Sequence, residues 1–254
     1  MRKGISRRQF MAHTAGAIGS IALGSACAAS ELQQSRARIS ARPGAGVKTT
    51  GSGSRPLGLG DKRDAILHLP PKYGEGALPL LVLLHGAGGS GTGILNRLMT
   101  FADESGVAVL SPDSRGSTWD AISGNFGADV TFISKALQAT FESVSVDPER
   151  LALGGFSDGA TYAISLGLQN GDLFRRIIAW SPGFFVGGES HGKPRLFISH
   201  GTADQILPID RCSRVIVPAL KKAGYDVTFR QFDGGHEMPP TIARAGMQWL
   251  VDRT

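Results

Sequence analysis

The sequence predicts an α/β fold in which a mainly parallel sheet carries helices on both faces. Short apolar runs alternate with longer segments of helical periodicity, and this order is typical of a parallel sheet. With 254 residues and 41% hydrophobic content, the chain is long enough to bury a full core. Loops at the carboxyl ends of the strands are the expected place for a functional site.

The predicted elements alternate along the chain from about residue 61. The segment 65–69 alternates weakly and ends at two prolines, so it is interpreted as an early antiparallel strand. Further strands are expected at 79–85, 106–111, 150–156, 175–181, 194–200 and 226–232, with helices near 94–104, 130–143, 158–169, 210–223 and 240–252. The short connection between the strands at 175–181 and 194–200 leaves no room for a large lid domain.

The most informative motif is Gly-Phe-Ser-Asp-Gly at 155–159, which follows the apolar run of a predicted strand. A serine hydroxyl is a weak nucleophile until a base removes its proton. A sharp turn from strand to helix exposes such a serine, and flanking glycines let the backbone cross closely there. The motif nominates Ser157 as a nucleophile, although the pentapeptide alone also fits an ordinary tight turn.

Two later strand ends supply candidate partners for Ser157. Asp204 closes a His-Gly-Thr-Ala-Asp turn after one predicted strand, and His236 closes an Asp-Gly-Gly-His turn after the next. Serine, acid and histidine therefore follow one another in the order that a hydrolytic triad of this type requires. Asp210 and Asp233 are alternative acids, in which case Asp204 would be a turn residue.

A glycine-rich turn upstream, His-Gly-Ala-Gly-Gly at 85–89, also follows an apolar strand. Glycines free backbone N–H groups to point at a developing negative charge. We expect the N–H groups of Ala87 and Asp158 to form an oxyanion hole. His85 and His200 are interpreted as hydrogen-bonding turn residues.

From about residue 62 to 252 the chain resembles the bacterial phospholipase/carboxylesterase group of the α/β-hydrolase fold, close in style to polyhydroxybutyrate-depolymerase-like esterases. The resemblance rests on the motifs at 85–89, 155–159 and 200–204 and on Gly-Gly-His at 234–236. It implies a serine esterase that hydrolyses small-molecule carboxylic esters through an acyl-enzyme, without a cofactor. Ala87 departs from the larger residue often found there, which leaves the acyl-chain preference open.

Other functions and other substrates fit parts of the same pattern. A serine peptidase of the same fold is one alternative, although such enzymes usually bring an extra domain for the peptide. A protein of the cell envelope that binds an acyl compound without turnover is another. Trp119 and Phe184 follow predicted strands on the side of the sheet where the site is expected, so they are pocket candidates, or else packing residues.

The formal charge of +6 does not indicate nucleic-acid binding. Residues 1–55 hold nine Lys and Arg against one acidic residue, whereas residues 56–254 hold 18 basic and 20 acidic residues. The basicity thus belongs to the N-terminal segment, and a nucleic-acid partner is not expected. The six histidines form no close cluster with Asp or Glu, so no metal site is predicted.

Residues 1–28 are interpreted as an export signal of the twin-arginine type, which would place the protein in the periplasm or outside the cell. Two arginines at positions 7 and 8 precede a mildly apolar stretch at 15–26. Cys27 lies in a small-residue cleavage pattern that also partly resembles a lipoprotein box, so lipid anchoring to a membrane through Cys27 stays open. A basic disordered terminus is the competing interpretation.

The remaining chain divides into two parts by composition. Residues 29–60 are rich in Ser, Gln, Arg and Gly and are expected to form a flexible linker. Residues 61–254 are expected to form the catalytic domain. Cys212 would be the single cysteine left after removal of the leader, and we expect it to be a small packing residue.

Overall fold

The structure is a computed structural model that describes residues 37–253. Within these residues one sheet has the strand order β1-β2-β4-β3-β5-β6-β7-β8. The strands are β1 (Gly53–Pro56), β2 (Ala65–Leu69), β3 (Leu78–Leu84), β4 (Ala108–Pro112), β5 (Val146–Phe156), β6 (Arg176–Trp180), β7 (Arg195–Gly201) and β8 (Val227–Phe232). β2 is antiparallel to both of its neighbours, β1 and β4, and the other neighbouring pairs are parallel.

Helices cover both faces of the sheet. They are α1 (Gly91–Ser105), α2 (Asp120–Ser123), α3 (Ala128–Ser143), α4 (Asp158–Gln169), α5 (Ser213–Lys222) and α6 (Pro240–Val251), and a 3-10 turn at Ile209–Arg211 precedes α5. α1 and α6 pack on one face, whereas α3, α4 and α5 supply buried apolar side chains to the other. The predicted α/β-hydrolase fold is confirmed.

The central strand β3 shows why a continuous apolar run in this sequence predicts a buried strand. All seven residues of β3 are buried, and six of them are apolar. A strand covered by helices on both faces reads as a continuous apolar run rather than an alternating one. Local signals also set helix ends: Ser90 caps α1 by accepting a hydrogen bond from Gly93 N–H, and Gly106 ends it at φ 66°.

The described part of the segment 29–60 differs from the flexible linker that was expected. Ala37, Ile39 and Ala41 are buried, and they belong to the apolar core under α3 and α4. The Asn170 side chain accepts from Ile39 N–H at 2.9 Å and donates to Ala37 O at 2.7 Å. Apolar residues at every second position give this segment one buried side, which its overall polar composition conceals.

Residues 181–194 join β6 to β7 without forming a helix or a strand. The predicted signal segment, including Cys27, lies outside the described residues. Across residues 37–253, no helix is both long and apolar enough to cross a lipid bilayer.

Candidate active site

Ser157 lies at the sharp turn between β5 and α4. Its φ of 58° and ψ of −120° are rare for a residue with a side chain, and such strain persists only where the surroundings impose it. A Cβ on Gly155 would lie 2.8 Å from Leu84 O, and one on Gly159 would collide with the carbonyls of Leu84 and His85. Both glycines are needed because the turn is pressed against the end of β3.

His236 connects Ser157 to Asp204 through its two ring nitrogens. Nε2 lies 2.8 Å from Ser157 Oγ, and Nδ1 lies 2.7 Å from Asp204 Oδ2. An ionised carboxylate can only accept, so Nδ1 carries the proton and Nε2 is left to accept the serine hydroxyl proton. The geometry therefore permits proton transfer from Ser157 to His236.

The loops that carry the acid and the histidine meet because β7 and β8 are neighbours. Thr202 N–H donates to Phe232 O at 2.9 Å, and Ala203 N–H donates to Gly234 O at 2.9 Å. Gly201 has no room for a side chain, since a Cβ there would lie 2.5 Å from Gly234 O. Backbone contact between the loops thus sets the separation of the two side chains.

The two alternative acids have other partners. Asp210 pairs with Arg214 at 2.7 Å on the surface, and Asp233 accepts a long hydrogen bond of 3.4 Å from Thr202. Asp204 is the carboxylate that the structure brings to His236.

Hydrogen bonds keep Asp204 ionised in its enclosed position. Burial alone would raise the pKa of this carboxyl group, but hydrogen bonds from Leu207 N–H and His236 lower its pKa below the usual range. Leu207 and Ile206 donate their N–H groups to Oδ1 at 2.8 and 2.9 Å. An ionised Asp204 can stabilise positive charge on His236.

The glycine-rich turn at 85–89 lies directly beside Ser157. A Cβ on Gly86 would be 3.3 Å from Ser157 Cβ. Two N–H groups of the turn already have acceptors within the protein. Gly88 N–H donates to Ser117 O at 2.6 Å, and Gly89 N–H donates to Gly86 O at 3.0 Å. These bonds do not use the N–H of Ala87.

Asp158 supplies the second candidate N–H group for the oxyanion hole. It is the first residue of α4, and the first N–H groups of a helix have no intrahelical acceptor. The positive end of the helix dipole adds to the attraction for a negative charge at this point. Ala87, the other candidate, is exposed.

Trp119 is a packing residue: of its two interpretations, the role in a substrate pocket is wrong. The side chain is fully buried, and Nε1–H donates to His85 O at 2.8 Å. Its ring packs against Tyr162 and His85, with centroids 5.2 and 4.9 Å apart. Trp119 therefore supports the turn at 85–89 from inside the core and has no surface to offer a substrate.

His85 is a hydrogen-bonding turn residue. Its Nδ1–H donates to Gly86 O at 2.7 Å, and its Nε2 accepts from Ser114 N–H at 3.0 Å. Burial lowers the pKa of His85, so the ring stays neutral.

Phe184 lies on the segment 181–194 and is 46% exposed. The neighbouring Gly183 N–H donates to Thr161 Oγ1 at 2.9 Å, one helical turn after Ser157. This bond attaches the segment to the helix that follows the nucleophile. Contact between Phe184 and a substrate stays a prediction.

Three further residues contact the groups of the site, and the role of each there was not predicted. Thr118 donates to Asp158 Oδ2 at 2.6 Å, so the side chain of Asp158 has a role beside that of its backbone. Phe156 stacks on the His236 ring, with centroids 4.9 Å apart. His200 contacts the acid. His200 begins the motif at 200–204, and its hydrogen bonds to Ser213 and Leu207 agree with its interpretation as a hydrogen-bonding turn residue. Phe156 lies within the motif at 155–159, where its position is not specified by residue type.

Cys212 is buried and unpaired, which agrees with its expected role as a small packing residue. In the part of the chain that the structure describes, no group of three or more His, Cys, Asp or Glu could hold a metal ion.

The fold and the strained serine at the end of β5 define an α/β-hydrolase. The sequence profile of the phospholipase/carboxylesterase family matches residues 122–250, and the chain belongs to this family of serine hydrolases, which act on ester bonds.

The chain is also similar in sequence to a named relative and similar in fold to solved structures. The chain is 32% identical to an acetylxylan esterase of Coprinopsis cinerea over 127 residues, which cover 46% of this chain and 34% of that protein. It thus spans only about a third of that relative's length. A fluorophosphonate-binding serine hydrolase of Staphylococcus aureus has a TM-score of 0.61 at 17% identity, covering 80% of this chain and 100% of that one.

A carboxylesterase of Bacillus cereus has a TM-score of 0.58 at 23% identity, covering 74% of this chain and 93% of that one. At these identities the likeness to solved structures concerns the fold.

Proposed function

We propose that this protein is a serine esterase that hydrolyses small-molecule carboxylic esters through an acyl-enzyme. The observation that carries the proposal is the chain of hydrogen bonds from Ser157 through His236 to Asp204, at 2.8 and 2.7 Å. Family membership and the esterase names of the relatives support the same reaction class. The chemistry requires no cofactor.

In the first half-reaction, Ser157 Oγ attacks the ester carbonyl carbon while His236 Nε2 takes the hydroxyl proton. Asp204 holds the imidazole in the required tautomer and stabilises its positive charge. The N–H groups of Ala87 and Asp158 bind the oxyanion, and one such donor is worth about 3 to 4 kcal/mol. His236 then gives the proton to the departing alkoxide, which leaves as the alcohol.

In the second half-reaction, His236 removes a proton from a water molecule as the water oxygen attacks the acyl carbon. The Ser157 Oγ–acyl bond breaks, the proton returns to Oγ, and the carboxylic acid is released. Since residues 181–194 form no helix over the site, we infer an open site that suits small or surface-presented esters.

Hydrolysis of a p-nitrophenyl ester by matched serine variants tests this reaction. Ser157→Ala should retain only a small fraction of wild-type activity. Ser134→Ala, which changes a serine on α3 away from the site, should retain all of it. Substantial activity in Ser157→Ala would refute the assignment.

A substrate panel separates the ester classes and the alternative functions. It combines p-nitrophenyl esters of increasing chain length, a lysophospholipid, a feruloyl ester, a hydroxyalkanoate oligomer and a peptide anilide. Faster cleavage of the anilide than of every ester would identify a peptidase. Binding of an acyl compound without release of product would identify a non-catalytic binding protein.

We also propose that the protein is exported through its twin-arginine segment, on the strength of Arg7, Arg8 and the mildly apolar stretch after them. A variant with lysine at both positions should retain the enzyme in the cytoplasmic fraction, whereas the wild type should reach the periplasm or the medium. Incorporation of labelled palmitate in the wild type, and its loss in Cys27→Ser, would identify lipid anchoring. Equal export of the wild type and of the variant with lysine at positions 7 and 8 would contradict the export proposal.

A further inference from the structure

Two histidines contact the carboxylate of Asp204, and one of them, His236, donates a hydrogen bond to it. His236 Nδ1 lies 2.7 Å from Asp204 Oδ2, and His200 Nε2 lies 3.2 Å from the same oxygen. The side chains of His200 and Asp204 are both fully enclosed. The reaction proposed above uses His236 and assigns no step to His200.

The other partners of His200 define its protonation. Nε2 lies 2.7 Å from Leu207 O, which can only accept, so Nε2 carries a proton. Nδ1 lies 2.7 Å from Ser213 Oγ and accepts the hydroxyl hydrogen. Burial lowers the pKa of His200, so the ring is neutral. Its one N–H therefore donates to Leu207 O and lies beside Asp204 Oδ2.

The hydrogen bond from His200 to Leu207 O fixes the loop that carries the acid. Leu207 donates its N–H to Asp204 Oδ1 at 2.8 Å and accepts from His200 through its carbonyl. Both carboxylate oxygens are thus held: backbone amides donate to Oδ1, His236 donates to Oδ2, and His200 Nε2 lies 3.2 Å from Oδ2. With both oxygens held, rotation of the carboxylate away from His236 would break several hydrogen bonds in an enclosed site.

We propose that His200 is a positioning residue of this site, which fixes the orientation of the Asp204 carboxylate and draws part of the negative charge from Oδ2. The inference rests on the proposed function, since it requires Asp204 and His236 to act on Ser157. His200 touches neither Ser157 nor a reacting atom in this account.

The proton that His236 takes up in the reaction lies next to the charge on Asp204, because the two side chains share a hydrogen bond. In His200→Leu the backbone amides on Oδ1 still keep Asp204 near His236. Oδ2 loses the nearby N–H of His200 and keeps more negative charge, so the carboxylate stabilises the protonated imidazole more strongly. Besides Asp204 and His200, the charged or titratable groups around this pair are Cys212 beside Asp204, Arg97 over the Phe156 ring, and Asp233 and Glu237 in the same loop as His236. None of these is altered by substitution at position 200.

The test compares three variants by the pH dependence of kcat/KM on a p-nitrophenyl ester. His200→Leu removes the donor, and His200→Gln keeps an N–H near the position of Nε2. His68→Leu is the matched control, because His68 is also buried and also bonded to an aspartate, Asp103, away from the site. Fluorophosphonate titration counts the active sites in each preparation.

The acid limb of kcat/KM reports the pKa of the base in the free enzyme. For His200→Leu its midpoint should rise by about half a pH unit, a roughly threefold increase in the proton affinity of His236. The plateau should fall about tenfold, and His200→Gln should restore most of both values. His68→Leu should keep the wild-type midpoint.

A wild-type or lower midpoint in His200→Leu would overturn the proposal, and so would His200→Gln behaving like His200→Leu. If His200→Leu does not fold, His200→Asn replaces it, since its shorter amide does not reach Asp204 Oδ2, and the same rise is expected. Activity in Ser157→Ala would refute the proposed function itself. An inactive Ser157→Ala with unchanged acid limbs in the His200 variants would refute the positioning role alone.

Discussion

The Thr118 hydroxyl donates a 2.6 Å hydrogen bond to Asp158 Oδ2 and so joins the loop after β4 to the first residue of α4. The N–H of Asp158 is one of the two proposed oxyanion donors. In the same loop, Ser117 O accepts from Gly88 N–H at 2.6 Å, next to Ala87. One loop therefore contacts both sides of the proposed oxyanion hole.

Thr118→Val should lower kcat/KM about tenfold, because it removes a hydrogen bond to a charged acceptor while keeping the side-chain shape. Steady-state hydrolysis of a p-nitrophenyl ester measures the effect. Thr131→Val is the control, since that hydroxyl donates to Gly127 O on the exposed side of α3. Equal activities of Thr118→Val and Thr131→Val would show that the Thr118 hydroxyl does not support the oxyanion hole.

Gly159→Ala should destabilise the fold by about 3 kcal/mol or more, because the new methyl group would lie 2.6 Å from His85 O. Urea unfolding measures the free energy. Gly74→Ala is the matched control, since no atom lies within 4 Å of a Cβ at that position, and it should change stability by less than about 0.5 kcal/mol. Similar stabilities for both variants would contradict the close packing of the turn on β3.

Trp119→Phe should cost about 1 to 2 kcal/mol of stability, because the buried His85 O loses its donor. The relative rates on p-nitrophenyl esters of different chain length should stay unchanged, since the ring is enclosed. A changed chain-length preference would restore Trp119 to the substrate pocket.

Asp172 attaches the N-terminal segment 37–42 to the rest of the domain. Its carboxylate accepts from Arg38 at 2.9 and 2.8 Å and from Arg42 at 2.8 Å. The hydrogen bond from Arg38 lowers the pKa of Asp172 from 3.8 to about 2, against the opposing effect of partial burial. Because the pKa is depressed, these ion pairs stabilise the folded state fully at pH values above the ordinary pKa of 3.8. The stabilisation is lost as the pH falls through about 2.

Asp172→Asn should therefore lower stability by less than about 1 kcal/mol near neutral pH, since these ion pairs are partly solvent-screened. The difference in melting temperature between variant and wild type should narrow as the pH falls below 4. A difference that stays constant down to the lowest pH at which both proteins fold would show that the ion pairs are not its source.

Much of this fold follows from local sequence patterns. The strands of the parallel core read as apolar runs because helices cover both faces, and Ser157, Asp204 and His236 each follow such a run. β1 was missed because Gly53–Pro56 has no alternating apolar residues. Pairing with β2 and the 2.8 Å contact between Ser54 Oγ and His68 Nδ1 stabilise it instead.

The supporting contacts of the site could not be predicted in the same way. Trp119 bonds to a carbonyl 34 positions away, and Thr118 bonds to a carboxylate 40 positions away. Such partners are chosen by tertiary packing, so an aromatic beside the site reads equally well as pocket or core. The contact of His200 with Asp204 likewise depends on how the loop after β7 folds back on His200.

Mass spectrometry of the protein after reaction with a fluorophosphonate tests the central claim most directly. We expect one adduct per chain, on the peptide that contains Ser157, with none on Ser157→Ala and little on His236→Ala. An adduct that persists in Ser157→Ala, or an unlabelled wild-type protein with intact fold, would contradict the assignment of Ser157 as the nucleophile.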